Sequence, residues 1–250
     1  MNEILKVEHI EKYYGNKGSL TKALSDLSFV IEKGEYVGIM GASGSGKTTL
    51  LNCISTIDKV TSGSIKVGGA EITRLKGNRL NRFRREELGF IFQDFNLLDT
   101  LSIEENIALP LAVRDVPAKE IKDTVRSLMR RLGIGDIAAK FPAQVSGGQK
   151  QRCACARAFV NKPRLVLADE PTGALNKANT EEVLDLLTAL YARGQSILLV
   201  THDREAALRG NRILYLEDGS IVGELELSPY QGKDREREQK LAAWLEGFQW

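Results

Sequence analysis

Residues 37–49 read Val37-Gly38-Ile39-Met40-Gly41-Ala42-Ser43-Gly44-Ser45-Gly46-Lys47-Thr48-Thr49. The motif G-x-x-x-x-G-K-T, placed between an apolar strand and a helical segment, is typical of a loop that binds a polyphosphate. Glycines leave backbone N–H groups open to phosphate oxygens, and the following helix adds the positive end of its dipole. We therefore expect Gly41–Thr49 to hold phosphates, with Lys47 on the β- and γ-phosphates and Thr48 binding Mg²⁺.

Strand-length apolar runs recur along the rest of the chain. Val37–Met40, Leu165–Ala168 and Ile197–Val200 are apolar at nearly every position, which is typical of parallel strands covered on both faces by helices. Leu5–Ile10 and Ala23–Ile31 are more mixed and favour an antiparallel arrangement. The pattern predicts an α/β fold with a mixed sheet at its core and an antiparallel β edge.

Helical patterns dominate the middle of the chain. Ser102-Ile-Glu-Glu105 is typical of a capping box that opens a helix. We therefore predict one domain over residues 1–228, with its core in 1–75 and 160–228 and a helical insert at about 76–159.

An apolar stripe follows a polar segment near the C-terminus. Leu241, Trp244, Leu245 and Phe248 recur at i, i+3, i+4 and i+7, which places them on one face of a helix. We predict an amphipathic helical tail over residues 229–250. Two interpretations are open: a helix packed on its own domain, or a helix that docks on a partner.

Charge and cysteine content narrow the function classes. The 250 residues include 35 basic and 33 acidic ones, for a formal charge of +2, and this balance leads us to predict no nucleic-acid partner. The longest apolar runs are of strand length, far short of the ~20 residues of a membrane helix. Cys53, Cys153 and Cys155 lack a zinc-type spacing and are interpreted as packing residues of a reduced, cytoplasmic protein.

Two carboxylates directly follow the apolar run Leu165–Ala168. A nucleotide site needs an acid near its metal ion at the end of a neighbouring buried strand, and Asp169 occupies such a position. Glu170, the next residue, suits the polarisation of an attacking water. Acids at strand ends are common, so this pair is informative chiefly because the phosphate loop accompanies it.

A second glycine-rich helix start occurs at Ser146-Gly147-Gly148-Gln149. Serine and glycine at a helix N-terminus can bind an anion, yet they also form ordinary N-caps. The position of this stretch, about 20 residues before Asp169-Glu170, resembles the signature of the ATP-binding-cassette (ABC) ATPases, and the resemblance covers residues 3 to about 225. It implies a P-loop NTPase fold and an enzyme that binds ATP with Mg²⁺ and hydrolyses it.

The resemblance implies roles for further residues. Tyr14 corresponds to the aromatic residue that stacks on adenine, with Tyr13 as the competing choice. Gln93 corresponds to the glutamine that contacts Mg²⁺ or the attacking water, and His202 to the histidine that holds the γ-phosphate. The expected catalytic set is Glu170, His202, Gln93 and Lys47, and the expected Mg²⁺ ligands are Thr48, Gln93 and Asp169.

The family arrangement also implies partners. Two cassettes form a homodimer with ATP at the interface, each nucleotide lying between the phosphate loop of one subunit and Ser146, Gly147, Gly148 and Gln149 of the other. Transporter ATPases of this family act on a polytopic membrane permease, so the resemblance implies a peripheral position on the inner face of the cell membrane. A sensor kinase reached through the permease is a further expected partner.

Other motifs indicate the branch of the family. Gly89–Leu101 and Pro171–Ala174 resemble the MacB-, lipoprotein-release- and antimicrobial-peptide-resistance ATPases. Ser55–Asp58 and Phe92–Asp99 are similar, more narrowly, to the bacitracin-resistance (BceA-type) ATPases. These resemblances imply a subunit that powers a separate permease in peptide resistance. A lipoprotein-release or macrolide-export ATPase is the alternative, and a non-transport regulatory ATPase is the alternative from another class.

Asn176 and the stretch Asp94–Leu101 each lead to a further expectation. Asn176 stands where the family carries the aspartate of Ala-Leu-Asp. The lost charge is expected to weaken or retune communication between the two sites and to leave ATP binding intact. The stretch Asp94–Leu101 is rich in apolar side chains and either tucks under the insert or meets a permease helix. We expect Phe95 or Leu98 to meet the permease.

Overall fold

The protein, described by a computed structural model over residues 2–16 and 18–248, contains ten strands and eight α helices in those residues. The strands are β1 (Glu3–Asn16), β2 (Ser19–Glu32), β3 (Tyr36–Met40), β4 (Ser62–Val67), β5 (Ala70–Glu71), β6 (Leu88–Ile91), β7 (Leu165–Asp169), β8 (Ser196–Val200), β9 (Arg212–Glu217) and β10 (Ser220–Glu226). The helices are α1 (Lys47–Ile54), α2 (Gly77–Glu87), α3 (Ile103–Ala112), α4 (Ala118–Arg131), α5 (Gly147–Phe159), α6 (Lys177–Tyr191), α7 (Arg204–Ala207) and α8 (Arg235–Glu246).

A six-stranded sheet in the order β10-β9-β3-β8-β7-β6 forms the centre of the fold. Its strands run parallel except for β10, which is antiparallel to β9. Every residue of β3 and β8 is buried, as expected for strands with helices on both faces. The predicted parallel strands at Val37–Met40, Leu165–Ala168 and Ile197–Val200 are confirmed.

The predicted antiparallel strands form a sheet of their own. Strand β1 pairs antiparallel with β2 on one side and β4 on the other, in the order β2-β1-β4-β5. Helix α1 lies between the two sheets, since its buried Leu50 and Ile54 share a core with Ile10 of one sheet and Leu198 of the other. The helix that follows the phosphate loop is thereby fixed from both sides.

The segment predicted as a helical insert contains one core strand as well as helices. Strand β6 pairs in parallel with β7, with Leu88 opposite Leu165 and Ile91 opposite Ala168. Residues 76–159 are therefore not wholly an insert, because β6 forms an edge of the central sheet. Helices α3, α4 and α5 do share a core separate from the sheets. The division into core and insert stays a prediction in other respects.

The capping box at the start of α3 is present as predicted. The Glu105 N–H donates to Ser102 Oγ at 3.2 Å, and the Ser102 N–H donates to Glu105 Oε2 at 2.7 Å. Two otherwise unpaired donors of the first turn are thus satisfied reciprocally.

The C-terminal helix α8 packs on its own domain. Leu241 and Leu245 are buried in one cluster with Met40, Tyr215 and neighbouring apolar residues, and Trp244 and Phe248 cover that cluster. The Arg237 guanidinium donates to the carbonyls of Leu208, Ser228 and Gly210. Of the two interpretations of the apolar stripe, the structure supports packing within the chain. Residues 249 and 250 of the predicted tail lie outside the described residues.

The three cysteines are free and buried. Burial raises the pKa of the Cys53 thiol to about 11 and that of Cys153 to about 12. These thiols therefore stay protonated and pack as small apolar groups, as expected.

Among the described helices, none combines the length and apolar character that crossing a bilayer requires.

Replacing Leu245 by alanine tests the packing of α8. The side chain is fully buried, so we expect Leu245→Ala to lower the free energy of unfolding by about 2–5 kcal/mol through lost burial and a residual cavity. Urea denaturation followed by circular dichroism measures the change. The control is Val222→Ala, because Val222 is 47% exposed on β10. Equal stability of the two variants would contradict the packing described here.

Candidate functional site

A cavity of about 570 Å³ opens at the carboxyl ends of the central strands. Ligands bind at this edge in open α/β sheets, because the loops after parallel strands converge there. The lining residues are Ala23, Gly41, Ala42, Ser43, Gly44, Gly46, Lys47, Thr48, Thr49, Gln93, Glu170 and His202. The cavity thus brings together the phosphate loop and residues predicted from three distant motifs.

Two glycines of the phosphate loop are required by close backbone approaches. A Cβ atom on Gly46 would lie 2.6 Å from the Ala23 carbonyl oxygen, and the φ angle there is 106°. A Cβ atom on Gly41 would overlap the Leu216 carbonyl oxygen. Side chains are excluded at both positions, so the backbone of the loop can curve closely around the cavity that it lines.

Lys47 is held inside this loop by backbone carbonyls. Its ammonium donates to the carbonyl oxygens of Gly41 and Ala42, both at 2.7 Å. Burial lowers the pKa of the ammonium, while the charges of Glu170 and Asp169 oppose that shift. A phosphate oxygen in the cavity would give this cation a charged partner, which is a stronger acceptor than a carbonyl.

Glu170 directly follows β7 and has a strained backbone conformation. Its φ angle is +45°, a left-handed value that costs a non-glycine residue about 1–3 kcal/mol. The carboxylate accepts from Thr201 Oγ1 at 3.1 Å and from the His202 N–H at 3.3 Å, and His202 Nδ1 lies 2.8 Å from Glu170 Oε1. The conformation aims the carboxylate into the cavity, where it can polarise a water.

The neighbouring oxygen atoms of Thr48 and Asp169 fit a magnesium site. Thr48 Oγ1 lies 3.5 Å from Asp169 Oδ1. Burial raises the pKa of the Asp169 carboxyl, and the adjacent Glu170 charge raises it further, so a cation here would relieve an unfavourable negative charge. No cluster of three His, Cys, Asp or Glu side chains suited to a metal occurs among residues 2–16 and 18–248. Mg²⁺ needs few protein ligands when it also binds phosphates.

Several predicted site residues lie outside the cavity wall. Ser45 is buried behind the loop, where its carbonyl accepts from the Gly219 N–H at 3.0 Å. Tyr14 projects from β1, and its hydroxyl donates to Asp58 Oδ2 at 2.7 Å. Asp169 does not line the cavity itself but contacts Thr48, which does.

The signature stretch also lies apart from the cavity of its own chain. Ser146 and Gln149 form a capping box at the start of α5, with the Ser146 N–H donating to Gln149 Oε1 at 2.9 Å. Gly147 and Gly148 form the first turn, and a Cβ on Gly148 would overlap the side-chain oxygen of Asn179. The Gln149 N–H donates to Ser146 Oγ at 3.3 Å, whereas the N–H groups of Gly147 and Gly148 have no acceptor inside the helix and suit an anion from outside.

Asn176, the departure from the family pattern, caps α6. Its side-chain oxygen accepts from the Asn179 N–H at 3.0 Å. Asparagine and aspartate are similarly good N-caps, so the replacement retains the local structure.

Comparison with known proteins is decisive for the family. The family described as "ABC transporter" matches residues 24–173, more than half of the chain.

The chain belongs to the ABC transporter family.

Its relatives include proteins of similar length and longer ones. The bacitracin export ATP-binding protein BceA of Halalkalibacterium halodurans is 47% identical over 89% of this chain and 88% of that protein. The ABC transporter ATP-binding protein YxdL of Bacillus subtilis is 45% identical over 94% of this chain and 90% of its own length. The macrolide export ATP-binding/permease protein MacB of Aggregatibacter actinomycetemcomitans is 40% identical, and the chain spans 35% of its length.

Solved structures of ABC cassettes share the fold. A cassette determined as a dimer in a post-hydrolysis state with ADP and Pi superposes with a TM-score of 0.84 at 36% identity, covering 90% of this chain and 100% of that one. The predicted family and fold class are confirmed. The predicted activity is confirmed as well: this ABC ATPase binds and hydrolyses ATP. The roles of individual site residues stay predictions.

Two residues of the site were not predicted from the sequence. Ala23 lines the cavity from β2, and an alanine in a mixed strand carries no signal of such a role. Thr201 is fully buried and donates to the Glu170 carboxylate. A small hydroxyl residue at the end of a buried strand, next to His202, is the signal that could have identified it.

Replacing Lys47 by alanine tests the phosphate loop. The variant loses charge-assisted hydrogen bonds worth about 2–3 kcal/mol to a bound phosphate, so we expect ATP affinity to fall roughly 30- to 150-fold. Isothermal titration calorimetry with Mg²⁺ present measures it. The control is Lys33→Ala, because Lys33 is exposed and should leave the affinity unchanged. Unaltered affinity of Lys47→Ala would be incompatible with phosphate binding at this loop.

Proposed function

We propose that the chain is the ATP-hydrolysing subunit that powers a separate polytopic permease in resistance to bacitracin-like antimicrobial peptides, at the inner face of the cell membrane. The observation that carries this proposal is the similarity to BceA, a bacitracin export ATP-binding protein, at 47% identity over 89% of this chain and 88% of that protein. The macrolide export relative matches over 35% of its own length and supports the alternative, a macrolide-export or lipoprotein-release type.

The proposed reaction uses the side chains gathered in the cavity. Glu170 takes a proton from water as the water attacks the γ-phosphate, and His202 and Gln93 orient water and phosphate. Lys47 neutralises the charge that develops on the phosphate oxygens. Thr48, Asp169 and Gln93 would hold Mg²⁺, which supplies further neutralisation of the phosphates when bound. The proximity of Glu170 and His202, with Oε1 and Nδ1 at 2.8 Å, supports a joint role.

The proposed site also includes a surface for the adenine base and residues of a second subunit. Adenine stacks on Tyr14, whose side chain is 41% exposed. A second copy of the chain presents Ser146, Gly147, Gly148 and Gln149 to the phosphates. Two observations support this homodimer: the signature stretch does not line the cavity of its own chain, and the similar cassette with ADP and Pi was solved as a dimer.

Replacing Glu170 by glutamine tests two proposals together: Glu170 as the general base, and the dimer that ATP holds together. The amide keeps the shape of the carboxylate but cannot take a proton, so we expect kcat to fall by roughly 10²–10⁴-fold. ATP should then persist in the interface and hold two subunits together. Size-exclusion chromatography with light scattering, with and without ATP, measures the dimer.

The control for that experiment is Glu120→Gln on the exposed surface of α4, which should hydrolyse ATP normally and remain monomeric after turnover. Hydrolysis near the wild-type rate in Glu170→Gln would rule out Glu170 as the base. Slow hydrolysis without a dimer would instead argue against the shared site.

A groove beside the Gln93 loop supports docking on a permease. Phe90 and Phe92 are stacked with ring centroids 4.1 Å apart and line a cavity of about 280 Å³ together with Arg84 and Arg157. An apolar floor with cationic sides suits a short permease segment that carries apolar and acidic side chains.

The apolar stretch Asp94–Leu101 divides between packing and exposure. Leu97 packs against the core shared by α3, α4 and α5, as the interpretation of a tucked stretch predicts. Phe95 is half-buried, and Arg157 donates to its carbonyl at 2.8 Å. Leu98 is 46% exposed. Leu98 is therefore the residue of this stretch best placed to contact a permease helix.

Replacing Leu98 by glutamate tests that contact. We expect the variant to bind ATP like the wild type but to lose stimulation of its ATPase by the permease, because a charge in an apolar contact is unfavourable. The measurement is ATPase activity in proteoliposomes that contain the proposed permease. Val222→Glu is the control, since Val222 has the same exposure, 47% against 46%, on a different face. Equal loss of ATP affinity and stimulation would indicate packing rather than docking.

The transported class can be separated from its alternatives in cells. Expression of the chain with its permease should protect a sensitive strain against bacitracin, whereas protection against macrolides without bacitracin resistance would favour the export type of MacB. Recovery of the chain with membranes would support the proposed location. The relatives carry no information on a sensor kinase, so that partner stays an expectation from the resemblance.

A further inference from the structure

Asp58, which follows α1 at the end of the Ser55–Asp58 motif, holds the side chain of Tyr14 in place. The Tyr14 hydroxyl donates to Asp58 Oδ2 at 2.7 Å, and Lys12 Nζ donates to Asp58 Oδ1 at 2.7 Å. The Lys12 ammonium also donates to the Lys59 carbonyl at 2.8 Å and lies 4.6 Å from the centroid of the Tyr14 ring. One carboxylate therefore fixes both the tip of the ring and the cation above it.

The cation of this group is buried, whereas the ring that it contacts is partly exposed. Lys12 is 8% exposed, whereas Tyr14 is 41% exposed. Burial and the Asp58 carboxylate raise the pKa of the Tyr14 hydroxyl, so the hydroxyl keeps the proton that it donates. Thr49, whose hydroxyl partly opposes this rise in the pKa of Tyr14, lines the phosphate cavity. The ring is thus held at the border of that cavity.

The adjacent Tyr13 provides an internal comparison. Lys22 lies 5.5 Å from its ring centroid and pairs with Glu11 at 3.1 Å, while the Tyr13 hydroxyl reaches Glu11 Oε1 at 3.4 Å. This second group has the same chemistry but longer contacts, and Glu11 is bonded to residues of the β1 sheet rather than to the end of α1. Of these two groups, the Tyr14 group is the one whose carboxylate, Asp58, follows α1, the helix after the phosphate loop.

We infer that Asp58, with Lys12, is a positioning group that sets the Tyr14 ring for stacking on the purine base and so contributes to the choice of a purine nucleotide over a base-free polyphosphate. Lys12 covers one face of the ring, which leaves the opposite face for the base. The inference rests on the proposed stacking of adenine on Tyr14. Fixing a ring before the base arrives lowers the entropic cost of stacking.

The test compares ATP with inorganic tripolyphosphate, both with Mg²⁺, by titration calorimetry on the full chain. Tyr14→Ala should weaken ATP binding roughly 5- to 100-fold, the range for loss of a base–aromatic stack. Asp58→Ala and Tyr14→Phe should each weaken ATP binding about 3- to 10-fold, the range for one lost hydrogen bond. Tripolyphosphate binding should not change in any variant. The double variant should bind ATP no more weakly than Asp58→Ala alone, because the hydrogen bond that Tyr14→Phe removes is already absent there.

Steady-state kinetics provide a second readout. Asp58→Ala and Tyr14→Phe should raise KM for ATP with kcat unchanged, since the base is remote from the reacting phosphate. Glu11→Ala, which removes the matching carboxylate beside Tyr13, is the control and should alter neither constant. Tyr14→Phe keeps the ring and the ion pair, so it decides the question if Asp58→Ala folds poorly.

Three outcomes would overturn the inference. Equal weakening of ATP and tripolyphosphate by Asp58→Ala and Tyr14→Phe would mean that the contact supports α1 rather than the base. Unchanged ATP binding in both variants, with Tyr14→Ala impaired, would remove the positioning role but leave stacking on Tyr14 intact. Unchanged ATP binding in Tyr14→Ala would overturn the proposed stacking itself, and the inference with it.

Discussion

The site depends on how closely the backbone of each sheet approaches the phosphate loop. The carbonyl of Ala23, in the four-stranded sheet, leaves no room for a side chain at Gly46, and the carbonyl of Leu216, in the six-stranded sheet, leaves none at Gly41. Both walls are main chain, so the loop is shaped by strand positions and not by mobile side chains. The backbone of the loop is therefore fixed before a phosphate arrives, and this preorganisation lowers the cost of binding.

Charged side chains lie close together at the same edge of the central sheet, where they are partly shielded from water. Asp169 ends β7 and Glu170 follows it, near the buried Lys47. Burial raises the pKa of Asp169 and lowers the pKa of Lys47. Both charged forms are thus less favourable than in water. A nucleotide with its metal ion brings charges of both signs to this edge and satisfies the two groups together. The unfavourable charges of Asp169 and Lys47 in the protein without ligand therefore favour binding of a nucleotide and its metal ion in the cavity.

The sequence predicted the parts of the fold that depend on short patterns. Buried parallel strands, the capping box at Ser102 and the phosphate loop follow from local apolar runs and glycine spacing, and the structure has them. The predicted helical insert includes β6, because the pairing of this strand with β7 is a long-range property. No local pattern predicts the role of Thr201 either, since the fold brings this residue to Glu170. Contacts between distant segments carry no local signal.

Helix α8 shares its apolar cluster with Met40, the residue directly before Gly41. During synthesis the phosphate loop leaves the ribosome long before Leu241 and Leu245 of α8, because about 200 residues separate Gly41 from Leu241. A domain folds as a unit as its segments become available. The apolar cluster beside the phosphate loop is therefore completed only after α8 has been synthesised, well after the loop itself.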